Sequence, residues 1–386
     1  MNATRLIADW DPRDGALFSE AQTQDRLAPM ACGAWRNPRL EKVEVPEPTE
    51  GPHSVTIQVR ACGVCGSDTH CVETDDQGYV IFSGPASFPC ILGHEFSGEV
   101  VSIGSEVRDI AVGDLVTAEG MLYCGTCEAC RKGWFNQCVR LDMVGFSSPG
   151  AFAERISSHE KHCFRIDGIA ERLSDAQAAC ELAALIEPIG CAYNGMFVAA
   201  GGLPPGSHVA VFGCGPIGLG AIALARTAGA ATITAFDPMP GRRAVAQELG
   251  ADAVFDAQAP GQAAALIRQT TKGWGADMVI EAAGAAVHTM PEIERALAPT
   301  GTVVYLGRTG ERAPVMLDVL VSGASRIVGA RGHAGGGVFP HIIRLLEHGR
   351  LNVAAMIDHR MPLSEAAEAL ERSKSRADSK IMLTAP

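Results

Sequence analysis

The sequence predicts an α/β plus β chain, a small β-barrel domain joined to a doubly wound parallel-sheet domain. Three observations predict it. Short strands punctuated by Pro and Gly open the chain. A strand, a Gly-x-Gly-x-x-Gly turn and a helix follow from Ser207. Beyond that unit, strand and helix patterns alternate, the signature of parallel strands joined by crossover helices.

With 386 residues the chain has room for two domains, and 47% apolar residues supply two cores. The formal charge is -12 and no basic run occurs, so nucleic acid is excluded as a partner, because phosphate binding relies on a Lys/Arg footprint. The opening Met1 to Trp10 meets charge early and has no long apolar core, so no secretory leader is expected and the expected compartment is the cytoplasm. Thirteen cysteines in that reducing setting point to metal or catalytic use before a disulfide framework. Val209 to Ala225 carries no charge and approaches the length of a membrane span. Its four glycines and one proline suit a strand, a turn and a buried helix instead, so no membrane partner is expected.

Taken in order, Ser54 to Arg60 alternates at period two, as a half-buried strand does, and Gly98 to Gly104 and Gly113 to Thr117 continue the pattern. Between them lies the stretch from Cys62 to Glu95, which brings a thiol, an imidazole and a carboxylate within one short segment. These are the donor types zinc accepts, and a catalytic zinc uses three protein ligands with one position open. Cys65 and His94 are the expected ligands, with Glu95 or a distant carboxylate completing or gating the shell. Cys62 and Cys65 also spell Cys-x-x-Cys, but no strand–helix–strand pattern surrounds them as a thioredoxin-like pair requires, so Cys62 is expected to pack in a strand.

Cys124, Cys127, Cys130 and Cys138 form a C-x2-C-x2-C-x7-C run, which can close four thiolates around one structural zinc. A cluster-binding run would place three residues before the last Cys and a Pro after it, whereas here seven intervene and Val139 follows. From Ser174 to Leu185 apolar residues recur at helical spacing until Glu187-Pro188 interrupts them. Glu187 is either a carboxylate aimed into a cleft or a solvated helix-end residue.

His208 to Phe212 reads as a buried strand, and Gly213-Cys214-Gly215-Pro216-Ile217-Gly218 then matches the dinucleotide turn. Thr232 to Phe236 is the next strand and Asp237 closes it, nineteen residues past Gly218. In that context the glycines let a pyrophosphate approach the helix N-terminus, while the acid hydrogen-bonds the ribose hydroxyls and repels a 2′-phosphate. NAD is therefore expected over NADP, with Arg242 and Arg243 close enough to matter. Met278 to Glu281, Thr302 to Leu306 and Arg326 to Ala330 extend the sheet to about six strands. The glycine-rich 332–337 segment reads as a crossing back, and Phe339 to Gly349 as a helix. The expected division is thus 1–189 and 334–386 for the catalytic domain, with its cysteine lobe at about 120–140, and 190–333 for the dinucleotide domain. Glu119 and His333 are further candidates to face a substrate.

On the Cys65-Gly66-Ser67-Asp68 and Gly93-His94-Glu95 motifs, the four-cysteine lobe, Glu187-Pro188 and the 213–218 turn, the chain resembles the zinc-dependent medium-chain alcohol dehydrogenases over essentially its whole length. The Glu-Pro resembles the sorbitol and polyol branch. The segments Thr74 to Tyr79, Gly145-Phe146, Gly150 to Glu154, Gly332-His333 and Gly337 to Pro340 are similar to those of dehydrogenases of inositol-type rings. The resemblance implies a GroES-like barrel with a Rossmann domain, one catalytic and one structural zinc, NAD, and a polyol or cyclitol substrate whose secondary alcohol becomes a ketone. It implies that Cys65, His94 and Glu187 surround the catalytic zinc and that Glu95 ligates it or exchanges with water. It further implies that Asp68 orients His94, that Ser67 and His70 relay a proton, and that the chain forms a homodimer or homotetramer with the strands 302–306 and 326–330 near the contact. A threonine-type amino-alcohol dehydrogenase remains an alternative. So does a catalytically silent binding protein, although that would have little use for an open zinc position.

Overall fold

The computed structural model describes residues 1–49 and 51–385. It divides into two compact units, one of Met1–Glu187, His359–Arg376 and Lys380–Pro386, the other of Pro188–Asp358 and Ala377–Ser379.

In the first unit, strand β1 (Ser54–Gly63) is followed by helix α1 (Gly66–Val72) and strand β2 (Glu95–Ile103). β1 lies inside a seven-stranded sheet, where it pairs antiparallel with β2, Arg155–His159 and Ile381–Thr384. Cys62, in β1, is fully buried, as its place in the strand pattern predicts. Pairing of Met382 with Gly63 and Leu383 with Cys62 brings the C-terminal strand beside the start of α1. A second sheet joins Asn2–Trp10 to Trp35–Glu44 and Cys90–Ile91. Trp35, Phe96, Phe146 and Phe152 are fully buried in the core between these elements, each stabilising the unit by roughly 1.5–3 kcal/mol of transfer free energy.

The predicted interruption at Glu187-Pro188 does not occur. Ala176–Ala184, helix α2 (Ile186–Tyr193) and a π-helical turn Asn194–Ala199 follow one another almost without a break. Pro188 falls in the first turn of α2, where a backbone N–H has no helical partner to lose. The 24-residue run Ala176–Ala199 is long and apolar enough to cross a membrane, but 72% of its most apolar window is buried inside the protein, which accounts for its composition.

The second unit contains strands β3 (His208–Phe212), β4 (Thr232–Phe236), β5 (Ala253–Phe255), β6 (Ala276–Glu281), β7 (Leu297–Tyr305) and β8 (Arg326–Gly329), with helix α3 (Pro216–Thr227) after β3 and helix α4 (Val338–Glu347) after β8. All six strands are parallel, in the order β5-β4-β3-β6-β7-β8. The order reverses between β3 and β6, and in sheets of this kind ligands bind beyond the carboxyl ends of the strands at such a reversal. The uncharged 209–225 stretch is β3 and most of α3, the strand–turn–helix reading of its glycines.

The chain does not return to the first unit at residue 334, where the glycine-rich segment led us to expect it. It returns at His359. The reason is packing: Val338, Phe339, Ile342, Ile343 and Leu346 of α4 are buried. A Cβ on Gly190 of α2 would lie 2.9 Å from the His333 Cβ and 3.2 Å from a Val338 methyl, so α2 and the 333–339 segment are locked together.

Candidate active site and metal centres

The first site is built on α1. Cys65 caps the helix, and Asp68, one turn in and fully buried, accepts from the Cys65 amide through Oδ2 (3.0 Å) and from the Gly93 amide through Oδ1 (3.2 Å). One carboxylate thereby fixes both motif segments. Gly93 must be glycine: its φ is +88° and a Cβ would lie 2.4 Å from the Phe152 ring. His94 follows, its ring on Phe146 at 4.9 Å between centroids, its Nδ1 3.4 Å from Asp68 Oδ1 and its Nε2 3.4 Å from Ser67 Oγ. The Asp68 contact is within ion-pair reach but misaligned for a hydrogen bond. Burial alone would depress the His94 pKa, but Asp68 and Cys65 beside it outweigh burial and hold it above the usual imidazole value.

Donor atoms of Cys65, His94 and Glu95 lie within 4.8 Å of one another. The set fits zinc in kind and count, a sulfur, a nitrogen and an oxygen with one position left over, and Glu95 Oε1 is buried without a hydrogen-bond partner. Glu95 Oε2 is held by Lys380 Nζ, which also donates to the Val64 carbonyl (3.0 Å), and both side chains are fully shielded from solvent. Burial and the neighbouring Glu187 carboxylate push the Glu95 pKa up against the pull of Lys380. Burial opposes the Lys380 charge, yet Glu95, Cys65 and Glu187 around it keep its pKa raised. Acidic side chains, Glu95, Glu187 and Cys65, thus surround a single ammonium, a setting that suits a divalent ion. Glu187 belongs to this electrostatic neighbourhood but lies outside the set of mutually close donors. Ser67 and His70 stand three residues apart on α1 and so share a face.

Lys380 is the residue that sequence reading missed. It is 285 residues from Glu95, and no spacing rule connects an isolated lysine ahead of an apolar strand to a distant Gly-His-Glu motif.

The second cluster is the cysteine lobe. Sulfur separations are 3.5 Å for Cys127–Cys130 and Cys124–Cys138, 3.9 Å for Cys127–Cys138 and 4.0 Å for Cys124–Cys130. Four sulfurs each about 2.3 Å from a central zinc stand roughly 3.8 Å apart at the corners of a tetrahedron, so the lobe matches a closed four-thiolate zinc site, and all four are free of disulfides. Backbone amides of Thr126 and Cys127 both donate to Cys124 Sγ at 3.4 Å. The Thr126 amide is the larger of the influences that lower the Cys124 thiol to about 5, whereas burial pushes Cys130 up to about 12.

In the second unit, Gly213 to Gly218 forms the turn from β3 into α3, with Gly215 capping the helix and Pro216 and Ile217 in its first turn. A Cβ on Gly218 would fall 1.8 Å from the Gly213 carbonyl oxygen, and one on Gly213 2.7 Å from the Ala283 nitrogen. Gly215 has open space, its nearest neighbour being Arg242 Nη1 at 3.8 Å, which leaves room for a pyrophosphate against exposed amides. Asp237 Oδ2 accepts from the Cys214 amide and Oδ1 from the Met239 amide, both at 2.8 Å. Each oxygen keeps a second lone pair for a ribose hydroxyl. Arg242 donates through Nε and Nη2 to the Asp378 carbonyl (3.1 and 3.0 Å), and Arg243 donates to the carbonyls of Asp237 and Pro238.

Of the two further candidates, Glu119 is buried with its Oε2 3.8 Å from His162 Nδ1. His333 is buried with its ring 5.0 Å from Phe339. Neither belongs to the donor clusters.

The family model described as Alcohol dehydrogenase GroES-like domain matches residues 51–168, and that described as Zinc-binding dehydrogenase matches 216–348. Scyllo-inosose 3-dehydrogenase of Thermotoga maritima is 36% identical over 383 residues, covering 96% of each chain. L-threonine 3-dehydrogenase of Symbiobacterium thermophilum is 31% identical over 94% of this chain and 98% of its own. A Thermotoga maritima structure described as an alcohol dehydrogenase superposes with a TM-score of 0.95 at 35% identity over both whole chains. A zinc-binding dehydrogenase from Sinorhizobium meliloti, solved with NADP, gives 0.79 at 31% identity over 93% of this chain and 99% of its own.

Proposed function

Because the chain belongs to the zinc-dependent alcohol dehydrogenase family, with its GroES-like and Rossmann domains, we propose that it oxidises a secondary alcohol of a cyclitol, an inositol-type or aminocyclitol ring, to the ketone with NAD. The observation that carries the chemistry is the convergence of Cys65, His94 and Glu95 with one coordination position to spare. When bound, zinc supplies a Lewis acid that lets an alcohol lose its proton near neutral pH, and the dinucleotide supplies the hydride acceptor.

The chain's own residues do the rest. Asp68 fixes the backbone of Cys65 and Gly93 and sits against the His94 ring, so the ligand segments do not drift. Lys380 holds one Glu95 oxygen, and the other, which has no hydrogen-bond partner, would be the one to ligate a zinc held by Cys65 and His94. Glu187 tunes the charge around that carboxylate. Ser67, against His94, accepts the substrate proton and passes it toward His70 at the helix surface. On this reading His70→Ala slows turnover below neutral pH by up to about 10²-fold, the lower range for a proton-transfer group, and much less at high pH, where hydroxide replaces the relay. An unaltered pH–rate profile would remove His70 from the path.

NAD is favoured over NADP because Asp237 is an acid at the end of β4, where such a carboxylate bonds a ribose and repels a 2′-phosphate, and because Arg242 and Arg243 spend donors on backbone carbonyls. The cyclitol reading is supported by the Thermotoga relative's name. The threonine dehydrogenase among the relatives supports an amino alcohol as the second reading. Thirteen cysteines with no disulfide among the described residues suit a reducing compartment, the cytoplasm. Helix Leu317–Gly323, with Met316, Leu317 and Val321 exposed, lies next in sequence before edge strand β8, and we assign that edge to a homodimer or homotetramer contact.

Steady-state rates with myo-inositol, scyllo-inosose, aminocyclitols, sorbitol and threonine test the proposal, with NADH as the readout and NADP as the rival acceptor. A cyclitol should exceed sorbitol and threonine by at least about tenfold in kcat/KM, the scale of one hydrogen bond made in the transition state with the preferred substrate alone. A preference for threonine would transfer the assignment to the amino-alcohol class, and a higher kcat/KM with NADP would overturn the cofactor assignment.

A further inference from the structure

Glu281 closes β6 with its side chain completely shielded from solvent, yet it belongs neither to a metal cluster nor to the glycine turn. Its Oε2 accepts from the Gly284 amide (3.4 Å), and its Oε1 accepts from the Ala285 amide (3.4 Å) and the Thr289 hydroxyl (3.2 Å). Its backbone carbonyl accepts from the amides of Leu306 (2.9 Å) and Gly307 (2.8 Å). The surrounding backbone is packed onto it: a Cβ on Gly307 would sit 2.4 Å from Oε2, and one on Gly284 would sit 2.7 Å from the Arg308 carbonyl oxygen. The segment after β6 also meets the dinucleotide turn, since a Cβ on Gly213 would lie 2.7 Å from the Ala283 nitrogen. Two segments at the carboxyl edge of the sheet, 284–285 and 306–308, thus meet at one buried carboxylate, while the glycine turn touches only the backbone at Ala283. Burial pushes its pKa up, and the amides and hydroxyl around it work in the other direction.

The strand order says which half of a cofactor this edge would serve. The β3-β4-β5 half carries the glycine turn and Asp237, and so takes the adenosine side. The β6-β7-β8 half, across the reversal, is left for the nicotinamide side.

We propose that Glu281 is a positioning residue for the nicotinamide half of the cofactor, its carboxylate gathering the 284–285 amides and holding that loop and the 306–308 segment together as one seat. The inference rests on the dinucleotide reading of this unit. Glu281→Gln keeps the shape but turns one acceptor oxygen into a donor, and on either side of the carboxylate that donor would face another donor. The loops then separate while the adenosine side is untouched.

Fluorescence titration of zinc-loaded enzyme with NADH, without substrate, and parallel titration with AMP test it. Glu281→Gln should raise the Kd for NADH about tenfold, and Thr289→Val, which removes only the hydroxyl donor, about threefold, the scale of one lost hydrogen bond. AMP affinity should stay within about twofold of wild type in both, because no adenosine-side group is altered. An unchanged NADH Kd would overturn the proposal, and so would AMP weakening in step with NADH, which would make Glu281 a support for the whole sheet. If Glu281→Gln does not fold, Thr289→Val carries the same comparison. A wild-type protein that binds neither NADH nor AMP would instead overturn the dinucleotide reading on which the proposal stands.

Discussion

Cys65→Ala lowers the zinc content from two ions per chain to one, one for each donor cluster, and removes turnover. The remaining His94 and Glu95 give two donors where a catalytic zinc takes three. Losing a Lewis acid worth several kcal/mol of transition-state stabilisation lowers kcat by about 10³-fold or more. Fold and the second zinc should survive, since the cysteine lobe is held by its own sulfurs and amides. Metal analysis beside steady-state rates on the same preparation checks both halves of the expectation. A variant that kept two zinc ions, or that turned over at the wild-type rate, would remove Cys65 from the metal and the metal from the chemistry.

Lys380→Met has the second large effect, and it falls on stability as well as on rate. The Lys380–Glu95 pair has no solvent exposure on either side chain, so screening gives no relief. Removing one partner of a buried pair strands the other charge and costs about 3–5 kcal/mol. Part of that is recoverable: Glu95→Gln combined with Lys380→Met leaves no unpaired charge, and the double variant should unfold within roughly 1–2 kcal/mol of wild type by the arithmetic of a double-mutant cycle. Its activity should not return, because Glu95 also faces the metal site. Thermal unfolding of the two single variants and the double variant measures this. If Lys380→Met alone unfolded with the wild-type protein, the pair would be structurally idle.

What was legible in the sequence was what local spacing encodes. The cysteine run specifies its own cluster because a few residues of chain can close four sulfurs around one point. The 213–218 turn was legible because a strand before it and a helix after it leave glycine as the residue that fits. Cys65, His94 and Glu95 were legible as donor types, and the structure brings them together. Lys380 was not, since its link to Glu95 depends on the pairing of Ile381–Thr384 with β1, a long-range register that no local pattern announces. The return of the chain was misplaced for a related reason. Gly335, Gly336 and Gly337 all have positive φ and look like a linker. Yet what decides the boundary is the apolar face of α4, buried in the second unit. Pro188 misled in the opposite sense: a proline stops a helix from its interior but sits comfortably in the opening turn.

The threading of the chain sets an order of maturation. Residues 188–358 are contiguous and lack only the short 377–379 excursion, so that half can condense while synthesis is still under way. The other half waits, because β1 finds its last neighbour only when 381–384 emerge, and the ammonium group that stands against Glu95 arrives at the same late moment. A zinc ion bound early by Cys65 and His94 would therefore meet a half-finished pocket, complete only once Lys380 and the strand after it are in place.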